Sequence, residues 1–222
     1  MVRVSARQHV DLCDQISANI LQYHIMKNLD MCSRGKRKIM KQLSVKTIVA
    51  IGIGSALFFV LAKFVSIPTF VSNTTINLQY AVLAVLALLF GPIAGALIGF
   101  IGHLLNDASS SWGIWYSWIA GSAFFGLAMG FLGMKIRLDD GVFGIKEIVL
   151  FNVTQVVAHL ISWGLIAPGL DVLIYDEPIE KIFLQGAVGS VSNIVSTAIV
   201  GTILCVAYVA ARPKKGSLAK EN

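Results

Sequence analysis

The sequence predicts an all-α, polytopic membrane protein: a six-transmembrane-helix bundle with both termini cytoplasmic. Three observations carry that expectation. Apolar residues make up 56% of the 222 positions while Asp, Glu, Lys and Arg together make up only 14%, against about 25% charge in an ordinary soluble domain. The apolar residues fall into six runs, and the basic residues collect at the ends of those runs. Mean hydropathy is +0.75. This composition excludes disorder, a collagen-like fibre, a disulfide scaffold and most soluble enzymes. The net charge of +6 would suggest nucleic acid in a soluble protein. Here its placement points to a membrane surface instead, and no nucleic-acid partner is expected.

Residues 1–42 form a polar, basic tail, and the nine Lys and Arg before residue 47 are half of the eighteen in the chain. No apolar stretch there is long enough for a signal peptide. The run from Arg34 to Lys41 suits anionic lipid headgroups, although its plainest reading is a solvated anchor. Met40 offers an alternative start, which would make residues 1–39 an extension. Residues 43–211 hold the membrane domain, and residues 212–222 form a second basic tail. Cys13, Cys32 and Cys205 have no metal-ligand spacing, so no disulfide, metal site or cofactor is expected.

The first apolar run spans Val45–Val65 and is stopped by Ile67-Pro68. The second, Asn77–Phe90, is separated by Gly91-Pro92 from the third, Ile93–Leu105. These two are short for a bilayer and must tilt or sit where it thins. The fourth covers Ile114–Met134, the fifth Glu147–Ala167 before Pro168, and the sixth Ile182–Ala210. Strand-like alternation is absent, so helices are expected. Sixteen of the eighteen basic residues lie on one side of this arrangement: in the amino-terminal tail, in the fourth connection (Lys135, Arg137, Lys146) and in the carboxy-terminal tail. The opposite side has only Lys63 and Lys181, among Asp107, Asp171, Asp176, Glu177 and Glu180. The basic side faces the cytoplasm.

Small residues recur at four-residue spacing, in Gly91/Gly95/Gly99, in Gly126/Gly130, and in Ala50/Gly54 and Gly52/Ala56 on the first helix. Such spacing lets helix backbones approach closely. Packing within the bundle is the ordinary explanation; a docking face for another membrane subunit is the sharper one for the first helix.

Polar residues inside apolar spans cost free energy and usually turn toward a cavity or a partner. Asn152, Gln155, His159 and then Ser162 or Trp163 share one face of the fifth helix, while Gln185, Gly189, Asn193 and Ser196 share one face of the sixth. Gln79, His103, Asp107, His159, Trp163 and Gln185 all fall in the outer half, beside Trp115 and Trp118. An interfacial aromatic belt and interhelical hydrogen bonds would explain each alone. Their convergence at one depth suits a flat polar heterocycle, with rings for stacking and His, Asp and Gln for its edges. The Ser66–Ile76 loop is expected to fold over them as a lid. No phosphate loop, HExxH or Gly-x-Ser-x-Gly elbow occurs, so the chain is not expected to be an enzyme.

The stretches SVKTIVAIGIGSALFFVLAKFVSIP, NTTINLQYAVLAVLALLFGPIAGALIGFIGH, SWGLIAP and DVLIY resemble the membrane S components of energy-coupling-factor transporters. The branch near the riboflavin and hydroxymethylpyrimidine/pyridoxine binders is most similar. The resemblance covers residues 43–218. It implies a bacterial plasma-membrane, six-helix capture subunit for a vitamin or vitamin precursor, partnered by a transmembrane coupling (T) subunit and two ATPase subunits. Family members often dock through Ala-x3-Ala on the first helix; Ala50, Gly52, Gly54 and Ala56 match that pattern in size but not in letter. The competing reading is a self-sufficient secondary transporter, for which an ionisable relay through both halves is missing.

Overall fold

The computed structural model describes residues 44–136 and 138–212. The two tails and the Met40 start therefore lie outside the described residues. Among these residues six helices follow one another: α1 Val45–Phe64, α2 Gln79–Phe90, α3 Pro92–Ala108, α4 Tyr116–Gly133, α5 Ile145–Tyr175 and α6 Ile179–Ala210. Four of the spans are long and apolar enough to cross a bilayer by themselves. α2, with 12 residues, extends only about 18 Å, as its short apolar run anticipates.

The lipid-facing surface is written in the exposure pattern. α5 exposes Val149, Val153, Val157 and Leu160, and α6 exposes Val191, Val195, Ile199 and Ile203. These rows repeat every three to four residues, so each helix turns one apolar stripe outward and its polar stripe inward. In water such stripes would be a liability, whereas in hydrocarbon they are the favourable surface. α2 exposes almost nothing; Ala81, Leu83, Ala84 and Ala87 are fully buried.

Small residues bring the backbones of α3 and α4 into contact. A Cβ on Gly95 would lie 2.3 Å from the Gly126 carbonyl oxygen, and one on Gly99 2.4 Å from that of Ser122. Gly130 meets Pro92 in the same way. The glycine spacing on these two helices is thus a packing device within the bundle. On α1 the small residues divide. Gly54 is buried against Ile98 and Leu86, and Ala50 is half-buried, whereas Gly52 and Ala56 face outward.

α5 departs from expectation. Pro168 does not end it, and the helix continues to Tyr175. The reason lies one turn earlier, where Ser162–Ile166 forms a π-helical turn in which the Ala167 N–H bonds the Ser162 carbonyl. That wider turn relieves the clash a proline ring makes with the carbonyl four residues back. α6 has a π turn of its own at Thr197–Gly201, and it begins three residues before the predicted Ile182. Its Gly186 allows a close approach, because a Cβ there would stand 2.1 Å from the Trp163 carbonyl oxygen.

Between α1 and α2 the chain forms a hairpin, β1 Ser66–Pro68 and β2 Thr75–Asn77, with Ser66 opposite Asn77 and Pro68 opposite Thr75. Thr69 closes its tip by donating its side-chain hydroxyl to the Thr74 carbonyl at 2.8 Å. Asn73 takes up the left-handed backbone at φ 57°, which asparagine tolerates better than bulkier residues.

Candidate ligand-binding cavity

A cavity of about 570 Å³ opens between the hairpin and α1–α6. Its walls include Gln79, His103, Asp107, Trp115, Trp118, Trp163 and Gln185, seven of the eight positions that the sequence singles out. They come from α2, α3, α4 and the residue before it, α5 and α6.

Asp107 comes from the last turn of α3 and is 2% exposed. Its carboxylate accepts the Trp115 backbone N–H at 3.1 Å and the Trp112 indole N–H at 3.4 Å. It thereby ties the α3–α4 loop back on itself. His103, one turn earlier on the same face, brings Nε2 to 3.4 Å from Asp107 and Nδ1 to the Ser122 hydroxyl. Ser122 also bonds the Tyr80 hydroxyl at 2.9 Å.

Trp118 and Trp163 stack, with ring centroids 5.9 Å apart and planes 14° from parallel. Tyr80 meets Trp163 edge-on at 5.1 Å. Gln185 on α6 donates Nε2–H to the Ser72 carbonyl at 2.8 Å, so the hairpin tip is latched to the bundle. Gln79 opens α2 directly beneath β2.

His159 is placed differently. It is 0% exposed, lies behind the cavity wall and stacks on Phe125 at 4.0 Å. Its Nδ1 accepts the Trp163 indole N–H at 2.9 Å. An indole can only donate, so the imidazole proton sits on Nε2 and is given to the Thr197 hydroxyl at 3.1 Å. His159 therefore supports a wall residue without being one. Asn152 and Gln155, deeper on the same face, bond Thr202 and the Ile194 carbonyl.

The structure also adds residues that the sequence reading leaves out of the site. Asp171, which a helix ending at Ala167 would put in a loop, is fully buried on α5 and lines the cavity. Ser117 donates its hydroxyl to one carboxylate oxygen, and the Trp118 indole N–H reaches the other at 3.1 Å. Asn77 and Asn193 join the wall, and their side-chain carbonyls, like that of Gln79, have no hydrogen-bond partner. Continuing the helical phase from Trp163 through Pro168 would have reached Asp171.

Comparison with known proteins agrees with this architecture. A family model described as "ECF-type riboflavin transporter, S component" matches residues 42–210. A UPF0397 protein of Lactobacillus gasseri is 51% identical over 181 residues, covering 82% of this chain and 98% of that protein. UPF0397 proteins of Clostridium perfringens and Enterococcus faecalis are 51% and 50% identical over similar lengths. Among solved structures, the S component for biotin from an ECF-type ABC transporter superposes with a TM-score of 0.57 at 13% identity. It covers 77% of this chain and 94% of the solved one, a likeness of fold. With a matching family model along its whole helical region and relatives at half identity, the chain belongs to the ECF-type riboflavin transporter S component family, as a membrane-embedded, substrate-binding transporter subunit and not an enzyme.

Proposed function

We propose that this chain captures a small, planar, polar heterocycle of the vitamin or vitamin-precursor class in the cavity beneath the hairpin, on the extracellular side. It then hands the ligand to a transmembrane coupling subunit driven by two ATPase subunits. S components of this transporter type work with such partners, and the outward face of α1 with Gly52 and Ala56 is the surface offered for docking. The observation that carries the reading is the cavity itself. Residues from six helices and a hairpin converge on one volume of about 570 Å³, large enough for a bicyclic or tricyclic ring system. Four tryptophans on its wall supply stacking surface, and Asp, Asn and Gln side chains supply edge recognition. Riboflavin, named in the family description, is one member of this substrate class.

The test is identification of the molecule that travels with the protein. Full-length chain purified in mild detergent is extracted, and the extract is analysed by mass spectrometry. A heterocyclic small molecule retained by the parent and lost from a Trp163→Ala, Gln79→Leu double variant supports the reading. Retention unchanged by those substitutions overturns it.

A further inference from the structure

We propose that the cavity selects a cation: a planar nitrogen heterocycle carrying a formal positive charge. The proposal rests on the capture function above and narrows its substrate class.

Two carboxylates stand on the cavity wall almost without exposure, Asp107 at 2% and Asp171 at 0%. The partners of Asp171 are neutral donors, whereas Asp107 also stands within ion-pair distance of His103. Asp171 takes a Ser117 hydroxyl and the Trp118 indole N–H; Asp107 takes the Trp112 indole N–H and the Trp115 backbone N–H, with His103 Nε2 at 3.4 Å. Among the described residues, neither carboxylate pairs with Lys or Arg. The two lysines at the rim are engaged elsewhere, Lys63 with the Ser109 carbonyl at 2.9 Å and Lys181 with Glu177 at 2.8 Å. A buried carboxylate without a cation is costly, and a positively charged ligand would supply the missing charge.

The rings argue the same way. All four indoles on the wall spend their N–H inside the protein: Trp112 on Asp107, Trp118 on Asp171, Trp163 on His159, and Trp115 on the Trp112 carbonyl. Trp163 is 2% exposed and packed on Trp118 and Tyr80, so what remains for a ligand is the π surface of Trp112, Trp115 and Trp118, which attracts cations. Donation to a carboxylate enriches the Trp112 and Trp118 rings in electron density and strengthens that attraction. Three further polar groups belong to residues that line the cavity. The side-chain carbonyls of Asn77, Gln79 and Asn193 are more than nine-tenths buried and unpartnered.

The experiment holds ring size constant and varies charge. Purified full-length protein is titrated with N-methylquinolinium, neutral quinoline and the anion quinaldate, with tryptophan quenching as the readout. The cation should bind at least about tenfold more tightly than quinoline, and quinaldate most weakly. Asp171→Asn keeps the hydrogen-bonding shape and removes the charge, so it should abolish the cation's advantage and leave quinoline unchanged. Should Asp171→Asn fail to fold, Asp107→Asn must do the same. Equal binding of quinoline and the cation, or no cation binding at millimolar concentration, overturns the proposal. When quinoline binds as well as the cation and Trp163→Ala abolishes both, the capture site stands and only the charge class falls. When cation binding survives Trp163→Ala, the ligand sits elsewhere and the capture site falls too.

Discussion

The indole N–H of Trp163 donates to Nδ1 of His159 across 2.9 Å, and both residues belong to one continuous helix that widens into a π turn immediately after Ile161. The π turn sets where Trp163 stands, and His159, anchored on Thr197 and stacked on Phe125, fixes how its ring is oriented.

His159→Phe preserves the ring stacked on Phe125 but leaves the Trp163 N–H buried without an acceptor. An unpaired buried donor costs about 1–3 kcal/mol, so ligand affinity should fall roughly five- to a hundredfold. His159→Gln offers a carbonyl oxygen and should recover part of the loss. Tryptophan quenching on the purified variants reads both. If the Phe variant binds better than the Gln variant, the histidine serves packing alone.

The backbone contact between α3 and α4 yields a stability prediction. Gly95→Ala and Gly126→Ala each push a methyl into a facing carbonyl, at 2.3 and 2.1 Å, and should each cost about 1–3 kcal/mol through overpacking. Gly52→Ala meets nothing within 4 Å on its exposed face of α1. It should instead be neutral or stabilising by about 0.5–1 kcal/mol. Thermal unfolding of the three variants in the same detergent measures the contrast, and equal effects would show that the two helices are not held by this contact.

Docking separates from binding on α1. Gly52→Leu and Ala56→Leu enlarge only the outward face, so substrate uptake in cells that contain the coupling module should drop while ligand affinity of the isolated protein stays near the parent's. Gly54→Leu is the internal control. Its side chain would collide with Ile98 and Leu86, so it should lower expression and binding together. Uptake unaffected by both outward substitutions would move the docking surface off this helix.

Orientation is open to a direct measurement. With sixteen of eighteen basic residues on one side, a single cysteine at exposed Ser111, in a chain freed of Cys13, Cys32 and Cys205, should react with an impermeant reagent on intact cells. One in the carboxy-terminal tail should react only after permeabilisation. Labelling of that tail on intact cells would invert the topology.

Much of the architecture is legible in the sequence because membranes simplify the code: an apolar run long enough to span is a helix, and its basic end stays inside. Gln79, His103, Asp107 and Gln185 stand out for the same reason, as polar groups conspicuous against hydrocarbon. Asp171 is hidden because Pro168 reads as a helix stop, and the π turn that carries the helix past it has no compositional mark. His159 reads as a wall residue because helical spacing puts it on the face of Trp163. Spacing fixes azimuth but not depth, and depth is settled by the Phe125 and Thr197 side chains contributed by other helices.

The lid makes the last prediction. The hairpin tip is held to α6 by the bond from Gln185 Nε2 to the Ser72 carbonyl at 2.8 Å, while β1 and β2 tie its base to α1 and α2. Opening the cavity at the hairpin must break that latch, so its strength enters the barrier for ligand escape. Gln185→Leu removes the donor at similar volume and should raise the dissociation rate about fivefold, the equivalent of roughly 1 kcal/mol. The association rate should change less, since affinity differences among variants of one site reside mostly in dissociation. Ser72→Ala is the matched control. The latch uses the backbone carbonyl of residue 72 and not its hydroxyl, so this variant should release ligand at the parent's rate. Stopped-flow displacement of a bound fluorescent ring measures both. If Ser72→Ala accelerates release as much as Gln185→Leu does, the hairpin is held by its side chains and the backbone latch is not what closes the cavity.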